Sequence, residues 1–425
     1  MRRPGHVAYR TRRVLDEAVK LDPDLLLVWE GNNEFLEDRN YTPPAAGFVA
    51  LACKLRTVQW LRDHLTHKTQ ISGAGLQTND TAKFFFTKAH AQSLKLRTDP
   101  FQFAQVNAHF RDSFQEMVGQ AGSHHVPLIL CTVPVNLRDW LPTVSSNRLI
   151  GAPLAQWQQL YNAGRRGLLT GNNKAGIEAM RQAIAMDNQH GESYFWLGRL
   201  LEADGQRDAA WQAFSQARDL DLNPFRATSG FNDIIKDLAK GNEGRGVYLL
   251  DLERIFANAT TNAAPGFDMF LDYVHPTKPA NFIVARSVYQ LIVQSGWIPG
   301  RPAVPDFTYR ERPFGPHGEP YQEGMDPALN IEMITIALNN RQLQMALDEL
   351  SAVMQANVGH RPTGPDDPAF AKAPQQFADE YRLLWHYLDV QRRVILNQNV
   401  SEQEQRDVKN QLDAFYDHEF YYGKQ

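Results

Sequence analysis

LLLVWEGNNEFL, residues 25–36, decides how the chain is read. Its first half, Leu25, Leu26, Leu27, Val28 and Trp29, has the length and composition of a strand buried on both faces of a parallel sheet. Pro23 ahead of it marks a helix stop, because a proline biases the preceding residue away from helical backbone. Its second half, Glu30-Gly31-Asn32-Asn33-Glu34, is a polar turn. Ligands of open α/β sheets bind beyond the carboxyl ends of the strands, so this turn is a candidate site.

Working outward, residues 7–20 predict a helix with Val14, Leu15, Ala18 and Val19 on its apolar face and Arg10, Arg12 and Arg13 exposed. No strand precedes it, although a βαβ unit needs one. Residues 47–67 predict an amphipathic helix carrying Cys53, and residues 71–80, rich in Gly, Thr and Asn, predict a loop. Residues 101–121 predict a helix, with Phe103, Val106, Phe110, Phe114, Met117 and Val118 at helical spacing. Residues 127–133 are a second buried strand, carrying Cys131 and running into Asn136 and Arg138. Helix, strand and polar turn have then occurred twice, which favours a three-layer α/β domain.

Residues 157–222 change character. They read as helical throughout and repeat with a period of 34: Tyr161 with Phe195, Gly164 with Gly198, Gly171 with Gly205, Met180 with Phe214, Ala183 with Ala217. Small residues let paired helices approach closely and large ones fill between them, a pattern that resembles two tetratricopeptide repeats. Trp196 and Trp211 are expected to fill the repeat core. The α/β pattern then resumes, with a helix at 234–238, a strand at 246–251, an irregular stretch at 255–270, a polar turn at 272–277 and a helix at 281–295. The organisation expected is an α/β domain over 1–156 and 226–298, inserted helical repeats over 157–225, a Pro-rich linker over 299–326, and a helical region over 327–425 that includes a possible further hairpin near 331–355.

Composition excludes some functions. The 425 residues carry a net charge of −4, so general nucleic-acid binding has no electrostatic support. No window approaches the length of an apolar membrane-spanning helix, and no secretory leader is visible in the sequence. The two cysteines form no metal motif and are expected to be buried thiols. No metal or cofactor is expected. His124-His125 reads as a solvated loop rather than a metal pair.

Two turns could carry chemistry. In Asp272-Tyr273-Val274-His275-Pro276 the carboxylate can reach His275 Nδ1 across the turn, fixing the tautomer and leaving Nε2 as a general base. Chance and structural pairs of this kind are common. In the first turn Asn33 offers an uncharged donor suited to an oxyanion, and Gly31 lets backbone approach closely. Asn-rich turns also serve geometry alone. Each turn follows a strand of one sheet, and together they would supply a base, its orienting carboxylate and an oxyanion donor on one rim. Glu30 and Glu34 flank the first turn and read as exposed carboxylates. Asn136 and Arg138 sit on the same rim, either binding substrate or capping the segment that follows.

At this point the sequence resembles the SGNH/GDSL hydrolases, a family of serine esterases and acyl hydrolases. The resemblance rests on Gly31-Asn32-Asn33 for the family's G-x-N-D block, with Glu34 in place of aspartate, and on Asp272 and His275 for its D-x-x-H block. The strings PDLLLVWEGNNEFLE, VPLILCTVPVNLRDWLP and FLDYVHPT resemble a bacterial branch that carries tetratricopeptide repeats. The likeness covers roughly residues 1–298. It implies a flavodoxin-like three-layer α/β/α sandwich, with His275 as base, Asp272 as its partner, Asn33 and Gly5 as oxyanion-hole donors, and Gly31, Asn32, Glu34, Asn136 and Arg138 in support. The implied substrate is a small-molecule, polysaccharide or lipid ester, and the layout suggests an envelope protein.

The family's nucleophile block is missing. No Gly-Asp-Ser occurs, and Ser113 follows Asp112 in the middle of a helix, after Asn33 rather than before it. Ser72, Ser93, Ser123, Ser145 and Ser146 lack a strand-to-helix setting. The simplest expectation is that the chain starts after a first strand that carries the serine; genuine loss of the nucleophile is the other. Either way the chain as written is expected to be nearly inactive. A scaffold that recruits a protein partner through the repeats is the alternative reading.

Overall fold

The computed structural model describes residues 7–36, 92–298, 300, 347, 351, 355, 359–373 and 375–421. Gly5, Cys53, the helix expected over 47–67, the loop 71–80, and most of the stretch 299–356 lie outside these residues.

Apolar spacing sets the first elements. Helix α1 (Ala8–Ala18) buries Ala8 and Leu15, while Val14, expected on the same face, is exposed. Val7 at its N-cap offers no side-chain acceptor; the cap comes instead from Glu34 Oε1, which accepts from Ala8 N at 2.6 Å. A carboxylate there also opposes the positive end of the helix dipole. Strand β1 (Leu26–Val28) is shorter than expected, and Leu27 is 42% exposed. The expectation of a strand buried on both faces therefore fails at β1. It holds at β2 (Leu128–Cys131), where every residue is buried. Between them runs α2 (Pro100–Ser123), started by Asp99, whose side chain accepts from Phe101 N and Gln102 N. Val106, Phe110, Phe114 and Met117 are fully buried on its inner face.

Four helices follow: α3 (Gly151–Thr170), α4 (Asn173–Met186), α5 (Gly191–Ala203) and α6 (Arg207–Asp219). They form two hairpins whose contacts repeat as the 34-residue spacing predicts. A Cβ on Gly164 would come within 2.5 Å of Met180, and one on Gly198 within 2.7 Å of Phe214. Gly171 and Gly205, at φ +74° and +80°, make the left-handed turn that joins each hairpin. Trp196 and Trp211 are only partly buried at the edge of this unit, whose centre is filled by Trp157, Phe195 and Phe214.

The chain then returns through α7 (Ser229–Gly241) to β3 (Val247–Leu250), followed by α8 (Leu252–Ala259) and α9 (Lys278–Gln294). The stretch expected to be irregular thus begins with a helix, capped by Asp251, which accepts from Arg254 N. The three strands are parallel, in the order β1-β2-β3. Alternate residues of β2 enter two different cores. Leu128 and Leu130 join Leu26, Val28 and side chains of α1, α2 and α7. Ile129 and Cys131 join Leu250, Phe256, Phe270 and Val284 on the side of α8 and α9. The chain is thus mixed α/β and mostly helical, built on a small parallel sheet with helices on both faces. The first core continues without a break into α3–α6, so the helical unit is packed onto the sheet region rather than hung from it. Near the end, α10 (Gln375–Ile395) and α11 (Glu402–Tyr421) pair with each other, and Ile395 O accepts from Arg166 Nε of α3. Among the described residues no helix is long and apolar enough to cross a membrane.

Candidate functional site

The turn at 272–275 is held by its own carboxylate. Asp272 Oδ1 accepts from the backbone N–H of Val274 and of His275, both at 2.7 Å, and Oδ2 meets His275 Nδ1 at 2.6 Å. The Asp272 side chain is 6% exposed and that of His275 70%, so a buried acceptor holds an imidazole that faces solvent. The hydrogen bond to Asp272 holds the His275 pKa above the ordinary histidine value, against the opposing effect of partial burial. An ionised carboxylate at Nδ1 fixes that nitrogen as the proton-bearing one and leaves Nε2 to accept. A backbone bridge between Phe270 and Pro276 closes the base of the turn.

The turn after β1 is organised differently. Gly31, at φ +153°, lies against Val133 and Phe110, where a Cβ would approach Val133 Cγ2 to 3.2 Å. Asn32 Oδ1 accepts from Ala227 N at 2.9 Å. Glu34 is fully buried as the cap of α1. Asn33 sits partly buried in the turn, and Leu36 N donates to its carbonyl. Glu30 accepts from Thr11 Oγ1 and from its neighbour Gly31 N. Burial, reinforced by the Glu34 charge, raises the Glu30 pKa to about 8. Neither glutamate is the exposed turn carboxylate expected: one caps a helix and the other is largely dehydrated.

Asn136 and Arg138 lie between the turns as connectors. Asn136 is fully buried, its Nδ2 donating to Asp272 O at 2.9 Å and its backbone N to Tyr273 O at 3.0 Å. Its Oδ1 accepts from Asp139 N. Arg138 donates through Nε to both oxygens of Glu202 on α5, and through Nη1 to Asp139. Its guanidinium is thereby engaged in joining the helical unit to the rim. Of the two roles open to these residues, the geometry favours fastening over contact with a ligand. From Gly31 the path runs to Val133, then along the chain to Asn136, then to Asp272, so both turns touch the segment that follows the carboxyl end of β2. The Phe225 ring, close in sequence to Ala227, lies 6.0 Å from that of Tyr273.

Sequence reasoning missed Asp221 and Arg226. Both are buried, 3.9 Å apart. Arg226 Nη1 donates to Asn136 O and Trp140 O, and Asp221 accepts from Thr143 N and Val144 N. Burial lowers the Arg226 pKa to about 10, with Asp221 acting in the other direction. No motif marks them, because their partners are main-chain atoms far off in sequence.

Among the described residues no serine hydroxyl is hydrogen-bonded to the His275 ring, whose partner is Asp272. Ser113 Oγ donates to His109 O within α2, Ser123 Oγ to Gln120 O, and Ser145 Oγ accepts from Glu192 N. Ser93 is fully buried. Cys131 is buried in β2 with its thiol pushed up to about 12, so it does not ionise readily. His124 and His125 are both exposed, and no cluster of metal-ligating side chains occurs among the described residues. An open cavity of about 380 Å³ beside Trp211, Arg218 and Glu253 lies at the junction of α6, α7 and α8 and includes neither turn. No family model, curated protein or solved structure matches the chain.

Proposed function

We propose that this chain carries the base and oxyanion side of an SGNH/GDSL-type serine acyl-ester hydrolase or acyl transferase. The single observation behind the reading is the Asp272–His275 pair: a buried carboxylate, held by two backbone N–H groups, grips Nδ1 of an imidazole that is otherwise in solvent. In this reading His275 Nε2 takes the proton from a serine hydroxyl as the hydroxyl attacks an ester carbonyl, and Asp272 stabilises the imidazolium that forms. Asn33 and Gly5 would donate to the oxyanion. The finer fold belongs to the same proposal: a flavodoxin-like three-layer sandwich with an inserted unit of tetratricopeptide type. Helices on both faces of a parallel sheet support it, as does the duplication of Gly164 against Met180 at Gly198 against Phe214. The substrate class is an acyl ester on a small molecule, polysaccharide or lipid.

The sequence has no Gly-Asp-Ser, and losing a triad nucleophile costs about 10⁶ in turnover. Residues 1–425 alone should therefore hydrolyse p-nitrophenyl acetate at close to the buffer rate, with His275→Ala no slower. A longer form carrying a Gly-Asp-Ser strand ahead of residue 1 should hydrolyse it, and should lose that activity in His275→Ala. Activity in 1–425 that collapses in His275→Ala would overturn the missing nucleophile. An inactive extended chain would overturn the hydrolase reading and favour a scaffold.

A further inference from the structure

Asn136 uses four polar groups, and all four fasten the rim. Its Nδ2 and backbone N grip two successive carbonyls, those of Asp272 and Tyr273. Its Oδ1 accepts from Asp139 N, and its carbonyl accepts from Arg226 Nη1 at 2.6 Å. The next two residues follow suit, with Leu137 N and Arg138 N both donating to Pro265 O. The bonds inside the 272–275 turn join Asp272 to His275, but none of them ties the turn to the sheet. The hydrogen bonds of that tie come from a residue a few positions beyond β2, the most fully buried strand, alongside ring contacts of Tyr273 with Trp140 and Phe225.

We infer that Asn136 is the positioning residue of the Asp272–His275 pair: its amide docks the turn against the end of β2 and keeps the Asp272 carboxylate buried beneath the imidazole. The catalytic use of that pair rests on the function proposed above; the docking role does not. The physical link is dielectric. A carboxylate–imidazole bond in a dry site is stronger than one that water can compete for, so undocking the turn weakens the grip on Nδ1. Arg226, paired with Asp221 just after α6, supports the Asn136 carbonyl and ties the helical unit into the same assembly.

The test is an NMR titration of the histidine side chains in the full chain. In wild type, His275 should titrate above the ordinary histidine range, near 6.5. In folded Asn136→Ala its midpoint should fall by about half a unit or more toward that range. General destabilisation alone would not single out His275 among the histidines. Asn136→Gln keeps the amide but displaces it by a methylene, and should give a smaller fall. A folded Asn136→Ala protein in which His275 titrates as in wild type overturns the inference. Should Asn136→Ala not fold, the glutamine variant decides by the same criterion. If that also fails to fold, Asn136 supports the whole fold rather than the pair, and the inference falls. The titration needs neither ester nor serine, so its failure leaves the hydrolase reading standing, and an inactive enzyme leaves the titration standing.

Discussion

The two polar turns differ in what remains of their side chains once the fold is satisfied. After β1, Asn32 holds Ala227, Glu34 caps α1, and Glu30 lies dehydrated beside it. In the 272–275 turn, the carboxylate of Asp272 takes up the turn's internal hydrogen bonds and the imidazole projects outward. Asn32, Glu30 and Glu34 are taken up by architecture in one turn, whereas the other leaves its imidazole exposed. A count of polar residues on a rim does not distinguish them; the partner of each atom does.

That contrast can be broken most severely at Asp272. Asp272→Ala removes the acceptor of two backbone N–H groups and of the imidazole, and should cost about 3 kcal/mol in denaturant unfolding. An effect under about 1 kcal/mol would show that the turn holds itself without the carboxylate. Next in size is Glu30. Its folded pKa of about 8 exceeds the ordinary value of 4.5, so the folded state holds the proton more tightly than the unfolded chain. The stability this contributes is complete below pH 4.5 and is lost as pH rises from 4.5 through 8. Glu30→Gln should flatten that decline and be more stable than wild type at pH 9 by about 2 kcal/mol. Parallel stability curves for the two proteins between pH 5 and pH 9 (about the window the shift defines) would refute it. The smallest effect belongs to His275→Ala. An exposed ring contributes little, so unfolding at pH 8 should change by less than about 0.5 kcal/mol. A larger loss would make the imidazole part of the architecture, like its counterparts after β1.

The helices were legible because their information is local. The spacing of Val106, Phe110, Phe114 and Met117 names the buried face of α2, and the 34-residue period names both hairpins down to the glycine that faces each large side chain. The Asp272–His275 pair was legible for the same reason, since three residues span it. The ends of β1 were misjudged because an apolar run states that a strand exists and not which face is covered; Leu27 needed the positions of α8 and α9. Glu34 and Asn136 resisted reading for a further reason. Each acts on backbone atoms far away in the chain, and a backbone partner leaves no mark in the sequence. Arg226 and Asp221 are the extreme case, a buried pair whose partners are mostly main-chain groups of 136–144.

The place where the helical unit joins the sheet region bears on how the chain can fold. Asp221 accepts from Thr143 N and Val144 N, and Leu222 N donates to Val144 O, so the two ends of the unit are fastened side by side. Strands β2 and β3 are far apart in sequence, and pairing them from an open chain means closing a long loop. With the unit already formed, its ends act as a clasp, and the loop left to close is only the short chain on either side. Loop-closure entropy grows with the logarithm of length, so the clasp lowers the cost of that pairing by about 1 kcal/mol. The contacts within α3–α6 are local and form quickly, whereas parallel strand pairing is slow. An insertion that looks like an interruption of the sheet thus shortens the search by which the sheet is completed.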